Sequence, residues 1–278
     1  MNILGIDFEE WYHPELVSPY VAEEKRKPSV IKGLDKILDW LRVNDTYATF
    51  FVVGELIEHD ATIVDKITSS GNEIGFHTMH HTRLNTNGYR EKFYVELDKF
   101  AELTSGKSKG FRAPTFSLNK ETAWVLDILA EKNYLYDSSI VPAKTSLYGV
   151  PNAPTNPYKI SSGNLEKNDP NGKIMEFPLL VTNFLGKKTP AGGGFYVRAL
   201  PIGVIKSAIT KYQRNNIPAT FYIHSWELTP EHFPKIPLPF KNKFVTYHNL
   251  KNALPRMTQI LKEFRFTSFE RYMPHMKG

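Results

Sequence analysis

The stretch from Gly71 to His81 reads GNEIGFHTMHH, and it decides how the rest of the chain is interpreted. A Gly-Asn pair typical of the end of a helix comes first, and a short strand over residues 73–76 follows. Three of the nine histidines of the chain stand at the end of that strand. If the chain coils into a helical turn there, His77 and His81 share one face and can reach one ion. An H-x-x-x-H pair is also common in ordinary loops, so the metal hypothesis needs complementary groups elsewhere.

Length and composition favour one large core. The chain has 278 residues, of which 41% are hydrophobic, and we predict a single domain over residues 1–278. There is no cysteine, which excludes a disulfide framework and a thiolate metal site. Any transition metal would therefore be held by histidine and carboxylate side chains.

The N-terminal sequence runs directly into a strand and has no signal-peptide pattern, and no apolar run approaches the roughly 20 residues of a membrane-spanning helix. We therefore expect a cytoplasmic protein, with peripheral association at the inner face of a membrane left open and the oligomeric state not predicted. The net charge of +6 is scattered without a basic aromatic platform, which argues against nucleic-acid binding. Such an excess suits an acidic or phosphate-bearing glycan, an anionic membrane surface, or solubility alone.

Strand-like and helical segments alternate along the chain, which predicts a parallel α/β fold. Residues 46–53 form a near-continuous apolar run, typical of a strand covered on both faces. The other predicted strands are residues 3–6, 73–76, 110–117 with its turn, 134–136, 174–185, 217–223 and 265–267. Helices are predicted after the capping residues Ser29, Asp60 and Asn119, and over residues 89–103, 201–214 and 249–264. The region 141–173, rich in proline, asparagine and glycine, is predicted to be a long loop.

Residues with useful chemistry stand at the carboxyl ends of the predicted strands. In a β/α barrel these ends share one face, where active sites are built. The residues are Asp7, Glu9, His77, His81, Arg112, Asp137 and His224. Strand alternation puts Asp7 and Glu9 on one side and Glu10 on the other, so Asp7 and Glu9 could converge on one site. A charged loop or a satisfied core histidine would explain one of these residues, but not the whole set.

The chain resembles the polysaccharide deacetylases, carbohydrate esterase family four, which share the NodB homology fold. The resemblance rests on Asp7-Phe8-Glu9, residues 77–81, Arg112-Ala113-Pro114, Asp137-Ser138-Ser139 and Tyr222-Ile223-His224. Residues 111–117, 147–151, 192–194 and 224–227 are also similar to the subgroup found with exopolysaccharide biosynthesis clusters. The resemblance implies a distorted, TIM-like (β/α) barrel with seven or so parallel strands.

The sequence departs from the family pattern at three positions, and one of these changes, Ile223 in place of leucine, is expected to be neutral. The usual Asp-Asp pair is replaced by Asp7-Phe8-Glu9-Glu10, so the metal carboxylate is either Glu9 or Glu10. We prefer Glu9 because it lies on the same side of the strand as Asp7. Phe116 stands where many members have tyrosine, which removes a hydroxyl group.

The resemblance implies a metal-dependent hydrolase that removes an N-acetyl group from an amino sugar of a polysaccharide, an oligosaccharide or a lipid-linked glycan. One divalent metal would lie on Glu9, His77 and His81, with zinc favoured and cobalt, nickel or iron as alternatives. The implied base is Asp7, oriented by Arg112, and the implied acid is His224, tuned by Asp137. The residues expected at the sugar groove are Trp11, His13, Pro114, Phe116, Tyr148, Phe195 and Trp226. For Trp11, His13, Tyr148, Phe195 and Trp226, each taken singly, structural packing is the commoner role.

Two other functions stay open at this level. One is a metal-free hydrolase of cyclic amides or imides with the same fold, and the His-His-carboxylate set argues against it. The other is a non-catalytic carbohydrate-binding protein, and the retention of Asp7 and His224 argues against it.

Overall fold

The computed structural model describes residues 1–276, so the last two residues of the domain predicted over 1–278, Lys277 and Gly278, lie outside the described residues. The strands are β1 (Asn2–Phe8), β2 (Thr49–Val52), β3 (Glu73–Phe76), β4 (Gly110–Phe111), β5 (Tyr136–Asp137), β6 (Tyr158–Ile160), β7 (Ile174–Glu176), β8 (Val181–Phe184), β9 (Lys187–Pro190), β10 (Thr220–His224) and β11 (Phe266–Thr267).

The α-helices are α1 (Leu34–Val43), α2 (Gly54–His59), α3 (Thr62–Ser69), α4 (Tyr89–Leu103), α5 (Trp124–Glu131), α6 (Gly194–Ala199), α7 (Ile202–Arg214), α8 (Ser225–Leu228), α9 (Phe240–Tyr247), α10 (Ala253–Leu261) and α11 (Phe269–Tyr272). Short 3₁₀ helices occupy residues 18–20, 23–25, 30–33, 114–116, 230–232, 250–252 and 273–276. Among the described residues, no helix combines the length and the apolar character needed to cross a membrane.

The main sheet is a curled set of parallel strands, which confirms the predicted barrel-like α/β fold. Eight strands run parallel: seven follow the order β10-β1-β2-β3-β4-β5-β7, and β11 also pairs with the start of β1. Strand β6 adds an antiparallel edge beside β7. The central strands β1, β2 and β3 are buried along their whole length, as expected for strands covered on both faces. Just after β7, the Phe177 N–H donates to the Asp137 carbonyl at 2.9 Å and the Leu180 N–H to the Thr220 carbonyl at 3.0 Å. These two bonds link the two ends of the parallel set.

Parallel strands bring their carboxyl ends to one face, and the registers put the candidate residues there. Asp7 pairs with His224 on β10 and with Phe51 on β2. Phe76, the residue before His77, pairs with Phe111, the residue before Arg112. The site residues on neighbouring strands therefore stand at the same height of the barrel.

Several predicted boundaries differ from the structure. The strand predicted over 46–53 begins at Thr49, the strand predicted over 134–136 is residues 136–137, and the strand predicted over 217–223 is residues 220–224. Pro218 explains the late start of β10, since proline cannot donate to a sheet ladder. Helices α2, α6 and α9 were not predicted because they are short and show little periodicity. The region 141–173 contains β6, and its buried side chains, such as Val150 and Leu165, join the main core.

The end of the barrel opposite the candidate site is closed by the C-terminal segment around a buried carboxyl group. Glu73, at the start of β3, accepts hydrogen bonds from the Thr49 hydroxyl, from the Tyr136 hydroxyl at 2.5 Å and from the Glu270 N–H at 3.0 Å. Burial raises the pKa of Glu73 from 4.5 to about 7, although these donors oppose the shift. The carboxyl group is therefore accommodated best when it is protonated.

This pKa shift predicts a pH dependence of stability. Because the folded-state pKa of Glu73 lies above its unfolded value, its contribution is fully present below about pH 4.5 and is lost as the pH rises through about 7. The loss is at most about 3 kcal/mol. Glu73→Gln should remove this part of the pH dependence, so that the difference in unfolding free energy between variant and wild type grows in favour of the variant from pH 5 to 8. Urea unfolding across that range measures it, and a constant difference would contradict the assignment.

Candidate active site

His77 and His81 lie at the carboxyl end of β3, but the chain between them is an open bend and not the predicted helical turn. That prediction is wrong because the carbonyls of Thr78 and Met79 accept backbone hydrogen bonds from the first two residues of α2, at 3.0 and 2.9 Å. Thr78 and His81 adopt φ angles of 60° and 53°, in the left-handed region. The two rings still converge, with centroids 5.0 Å apart.

The His77 ring is held in its neutral form. Its Nδ1 lies 2.7 Å from the Arg112 carbonyl and donates to it, which leaves Nε2 with a free lone pair. Burial lowers the pKa of His77 to about 4, and the Asp7 carboxylate only partly opposes this shift. A buried neutral imidazole with one nitrogen free is suited to metal binding.

The Glu9 carboxylate completes a three-ligand group with the two histidines. One ligand atom from each of Glu9, His77 and His81 lies within 4.8 Å of the others. The Trp226 indole N–H donates to Glu9 Oε1 at 2.9 Å, and the Ser225 hydroxyl bonds to the backbone of Glu9. Glu9 Oε2 is buried without a hydrogen-bond partner and lies 2.7 Å from His81 Nε2.

The donor set fits a divalent metal. Two imidazole nitrogens and one carboxylate oxygen match catalytic zinc sites, which keep a further position open. An orphaned buried oxygen beside an imidazole nitrogen is costly without an additional partner, and a metal ion would supply one. Burial alone would raise the pKa of Glu9, but the rings of His81, His224 and His77 hold this pKa well below its usual range.

Glu10, the alternative carboxylate, has a different position. Its two oxygens accept from the N–H groups of Ser29, Val30 and Ile31, all at 2.9 Å, at the start of the helical segment that leads into α1. Glu10 therefore satisfies a helix N-terminus, as carboxylates commonly do. Strand alternation correctly separated it from Asp7 and Glu9.

Asp7 is paired with a fully buried arginine. Arg112 Nη1 donates to Asp7 Oδ1 at 2.7 Å, and its Nε and Nη2 donate to the carbonyl and hydroxyl of Ser138, both at 2.9 Å. The guanidinium carbon lies 4.2 Å from the centre of the Phe51 ring. A Cβ atom at Gly5 would lie 2.6 Å from Arg112 Nη1, so the glycine leaves the space for this contact. The predicted contact between Arg112 and Asp7 is thus present.

His224 is held by Glu227. His224 Nδ1 lies 2.7 Å from Glu227 Oε2, and the opposite Glu227 oxygen accepts from Arg198 Nε at 2.6 Å. Arg198 and Glu227 are both buried. Burial lowers the pKa of His224, but the carboxylates of Glu227, Glu9 and Asp7 outweigh it and raise the pKa to about 9. Arg198 and His224 hold the pKa of Glu227 at about 2 despite its burial.

The prediction that Asp137 tunes His224 is wrong. Asp137 lies at the end of β5, and its oxygens bond to the hydroxyl and the N–H of Ser139, at 2.6 and 3.3 Å. Burial raises the pKa of Asp137, and its carboxyl neighbour Glu176, also buried, has a pKa raised well above its usual value. The pair therefore holds the loop after β5, while Glu227 takes the place beside His224.

These groups open into one pocket with apolar walls. Its floor carries Asp7, Glu9, His77, His81 and His224, and its walls include Leu16, Thr115, Phe116, Leu147, Tyr148, Phe195, Tyr222, Trp226, Val245 and Thr246. Of the predicted groove residues, Phe116, Tyr148, Phe195 and Trp226 line this pocket. The Trp226 ring stacks on the His224 ring, with centroids 4.8 Å apart, so this indole helps to hold the imidazole in place.

Three predicted groove residues lie elsewhere. Trp11 is buried in a separate aromatic cluster and donates its indole N–H to the Lys27 carbonyl at 3.1 Å. His13 is buried, stacks on His81 with centroids 5.6 Å apart and bonds to Glu55 at 2.8 Å. Pro114 is buried in a 3₁₀ turn, and its neighbour Thr115 faces the pocket instead. Each of the three is buried and packs behind the site.

The sequence analysis missed three charged residues that support the site: Glu227, Arg198 and Glu55. Glu227 follows His224 by three residues, the spacing of a capping box, and its carboxylate also accepts from the His224 N–H at 3.1 Å. That spacing was a usable signal. Arg198 and Glu55 lie on helices that were not predicted, and nothing in their local sequence indicates a site.

Two family models match the chain in succession. Residues 31–134 match the polysaccharide deacetylase model, and residues 138–274 match a domain of unknown function, DUF3473. Over 105 residues the chain is 30% identical to a peptidoglycan-N-acetylglucosamine deacetylase of Bacillus cereus, a match that covers 36% of each protein. Over 102 residues it is 31% identical to the uncharacterized protein YlxY of Bacillus subtilis, covering 36% of this chain and 31% of the relative. The matches thus span about a third of the length of these curated relatives.

The fold is similar to solved structures over almost the whole chain. A crystal structure from Mycobacterium smegmatis, provisionally named a polysaccharide deacetylase, superposes with a TM-score of 0.61 at 16% identity, covering 99% of this chain and 90% of that chain. At this identity the likeness concerns the fold alone. Over residues 31–134 the chain is thus similar to the polysaccharide deacetylases, and the likeness of fold extends over almost the whole chain.

Proposed function

We propose that this protein is a metal-dependent hydrolase that removes an N-acetyl group from an amino sugar of a glycan. The observation that carries the proposal is the convergence, in one pocket, of a possible three-ligand metal site, an arginine-held aspartate and a carboxylate-held histidine. Amide hydrolysis needs an activated water, a group that takes its proton and a group that protonates the leaving amine. The pocket contains a candidate for each.

Glu9, His77 and His81 would hold the metal. The ion, when bound, supplies Lewis-acid activation of the acetyl carbonyl and of the attacking water. Zinc is favoured by the donor set, and cobalt, nickel or iron also suit two histidines and one carboxylate.

Asp7 is the proposed general base. Arg112 binds its Oδ1, which fixes the plane of the carboxylate and leaves the second oxygen to accept a proton from water. His224 is the proposed general acid. Its Nδ1 is bonded to Glu227, so Nε2 is the nitrogen available to the leaving amine.

We also propose that the substrate belongs to exopolysaccharide biosynthesis, on the strength of the similarity in residues 111–117 and 224–227 noted from the sequence. The apolar walls formed by Phe116, Tyr148 and Phe195 suit the faces of sugar rings. The deacetylase match over residues 31–134 is followed by a separate match over residues 138–274. This order supports the assignment to a specialised subgroup of the deacetylases.

Metal content tests the ligand assignment. The purified protein should contain about one equivalent of divalent metal by elemental analysis after incubation with zinc and desalting, the single site expected of this donor set. Glu9→Gln and the double variant His77→Ala/His81→Ala should lose it. Glu10→Gln is the matched control, since it removes a neighbouring carboxylate that binds only backbone N–H groups. Loss of metal in Glu10→Gln with retention in Glu9→Gln would reverse the assignment.

Acetate release tests the catalytic assignment. Asp7→Asn and His224→Ala should each lower kcat for acetate release from N-acetylated amino-sugar oligomers by about 100-fold to 10,000-fold, the range for a positioned base or acid. Both variants should keep the wild-type circular dichroism spectrum and bound metal. Full metal loading without acetate release in the wild type would instead indicate a carbohydrate-binding protein, and release without metal a metal-free amide hydrolase.

The assignment of Glu227, and not Asp137, as the carboxylate that holds His224 can be tested separately. Glu227→Gln should lower kcat about tenfold to 100-fold with little change in KM, the range seen when hydrogen-bond partners behind a functional histidine are removed. Asp137→Asn should leave kcat near wild type, because Asp137 bonds to Ser139 and not to His224. Steady-state kinetics on both variants decides between them, and a greater loss of kcat in Asp137→Asn would restore the sequence-based assignment.

A further inference from the structure

A long basic stretch lies beside the pocket. Between Glu231 and Glu263 the sequence contains no acidic residue. We call residues 234–251 the basic segment, and its lysines, all exposed, are Lys235, Lys241, Lys243 and Lys251. Within residues 1–276, no carboxylate pairs with any of these four lysines, although Lys66, Lys132 and Lys206 elsewhere do form ion pairs. The segment therefore presents uncompensated positive charge.

The same segment exposes phenyl rings. Phe240 has 88% of its surface exposed, the largest value for any large hydrophobic side chain in the described part of the chain, and Phe244 has 49% exposed. Phe240 and Phe244 are four residues apart on α9, so they lie on the same side of that helix. Exposed phenyl rings beside lysines are typical of helices that lie in a membrane interface.

The basic segment is fixed in position next to the pocket. The Tyr247 hydroxyl donates to the Pro234 carbonyl at 3.0 Å and accepts from the Ile236 N–H at 2.9 Å, which ties the proline-rich part to α9. Val245 and Thr246, near the end of α9, line the pocket. The segment thus borders the pocket, and the centroid of the Phe244 ring lies 6.1 Å from that of the pocket residue Phe195.

We propose that the basic segment docks on an anionic phospholipid surface, with Phe240 and Phe244 entering the headgroup region and the lysines facing lipid phosphates. Anionic leaflets attract clustered lysines, and transfer of the phenyl rings from water into the headgroup region is favourable. An acidic glycan would satisfy the lysines, but it would bury little of the Phe240 ring, which stands 88% exposed outside the pocket. The docked protein would open its pocket toward the membrane, so the substrate of the proposed deacetylase would be a membrane-held glycan.

That last step rests on the proposed function, whereas docking does not. A protein without deacetylase activity would still bind vesicles if the basic segment acts as proposed. Vesicle binding and acetate release therefore fail independently, and each proposal can be rejected without the other.

The test is co-sedimentation of the full chain with vesicles of phosphatidylcholine alone or mixed with phosphatidylglycerol. Binding should require phosphatidylglycerol and weaken with added salt. Lys241→Gln should weaken it about fivefold, the effect of one lysine near an anionic leaflet. Phe240→Ser should weaken it about tenfold through the loss of buried apolar area.

Matched controls come from the opposite end of the barrel. Val43, at the end of α1, has 68% of its surface exposed, and Lys107 is exposed in the turn that precedes β4. Val43→Ser and Lys107→Gln should bind vesicles as the wild type does. Equal binding by Phe240→Ser and wild type, or equal weakening in the two controls, would overturn the proposal. Binding to soluble alginate that is lost in Lys241→Gln, without binding to vesicles, would also overturn it and assign the segment to an acidic glycan.

Discussion

The site depends on burying carboxylates that cannot be left uncompensated. Asp7 and Glu227 are removed from water, and a lone buried carboxylate would take up a proton or prevent folding. Asp7 is paired with the buried Arg112, and Glu227 with the buried Arg198. The other hydrogen bonds that these two guanidinium groups donate go to backbone carbonyls or to a hydroxyl. Removing one member of such a pair is far more costly than the pair is stabilising. The two pairs therefore fix geometry more than they add stability.

Arg112 shows how this constraint reaches the rest of the chain. Its guanidinium spans from β1 to the loop after β5, against the Phe51 ring of β2. That path is open because Gly5 has no side chain on the inner face of β1. Both Gly5 and Asp7 of the first strand thus serve Arg112: the glycine leaves room for the guanidinium, and the aspartate accepts its hydrogen bond. The backbone carbonyl of Arg112 also orients His77, so one residue sets both the proposed base and a proposed metal ligand.

Much of the fold and of the site floor could be predicted because parallel strands put their carboxyl ends on one face. Asp7, Glu9, His77, His81 and His224 all stand at such ends, and alternation separated Glu9 from Glu10. Asp137 obeyed the same rule, yet at the end of β5 it bonds to Ser139, whereas His224 at the end of β10 is held by Glu227. The rule gives the height of a residue on the barrel but not its angular position. Sequence reading therefore found the layer and missed which carboxylate contacts His224.

The bend after β3 was mispredicted for a related reason. The spacing of His77 and His81 fits a helical turn, but the carbonyls between them bond to the start of α2, a helix with too weak a pattern to be predicted. The spacing of the two histidines is compatible with a helical turn or with an open bend. Hydrogen bonds to the start of α2, which lies more than 20 residues earlier in the sequence, select the open bend. The convergence of the two rings survived because both histidines remain at the end of the same strand.

Arg198 links the proposed catalytic site to the proposed membrane-docking segment, because it hydrogen-bonds to both. It donates to Glu227, which holds His224, and to the carbonyls of Val245 and Thr246 at 3.0 and 3.2 Å, near the end of α9. A displacement of α9 on a membrane would change the carbonyls around this guanidinium, whereas the Glu227 contact is a charge-assisted bond inside the core and is stronger. Arg198 should therefore keep its bond to Glu227, and its bonds to the carbonyls of Val245 and Thr246 should oppose a movement of α9. The basic segment is then best understood as a rigid platform that sets the orientation of the pocket, because a mobile helix at this position would disturb the hydrogen-bonded histidine on which the proposed chemistry depends.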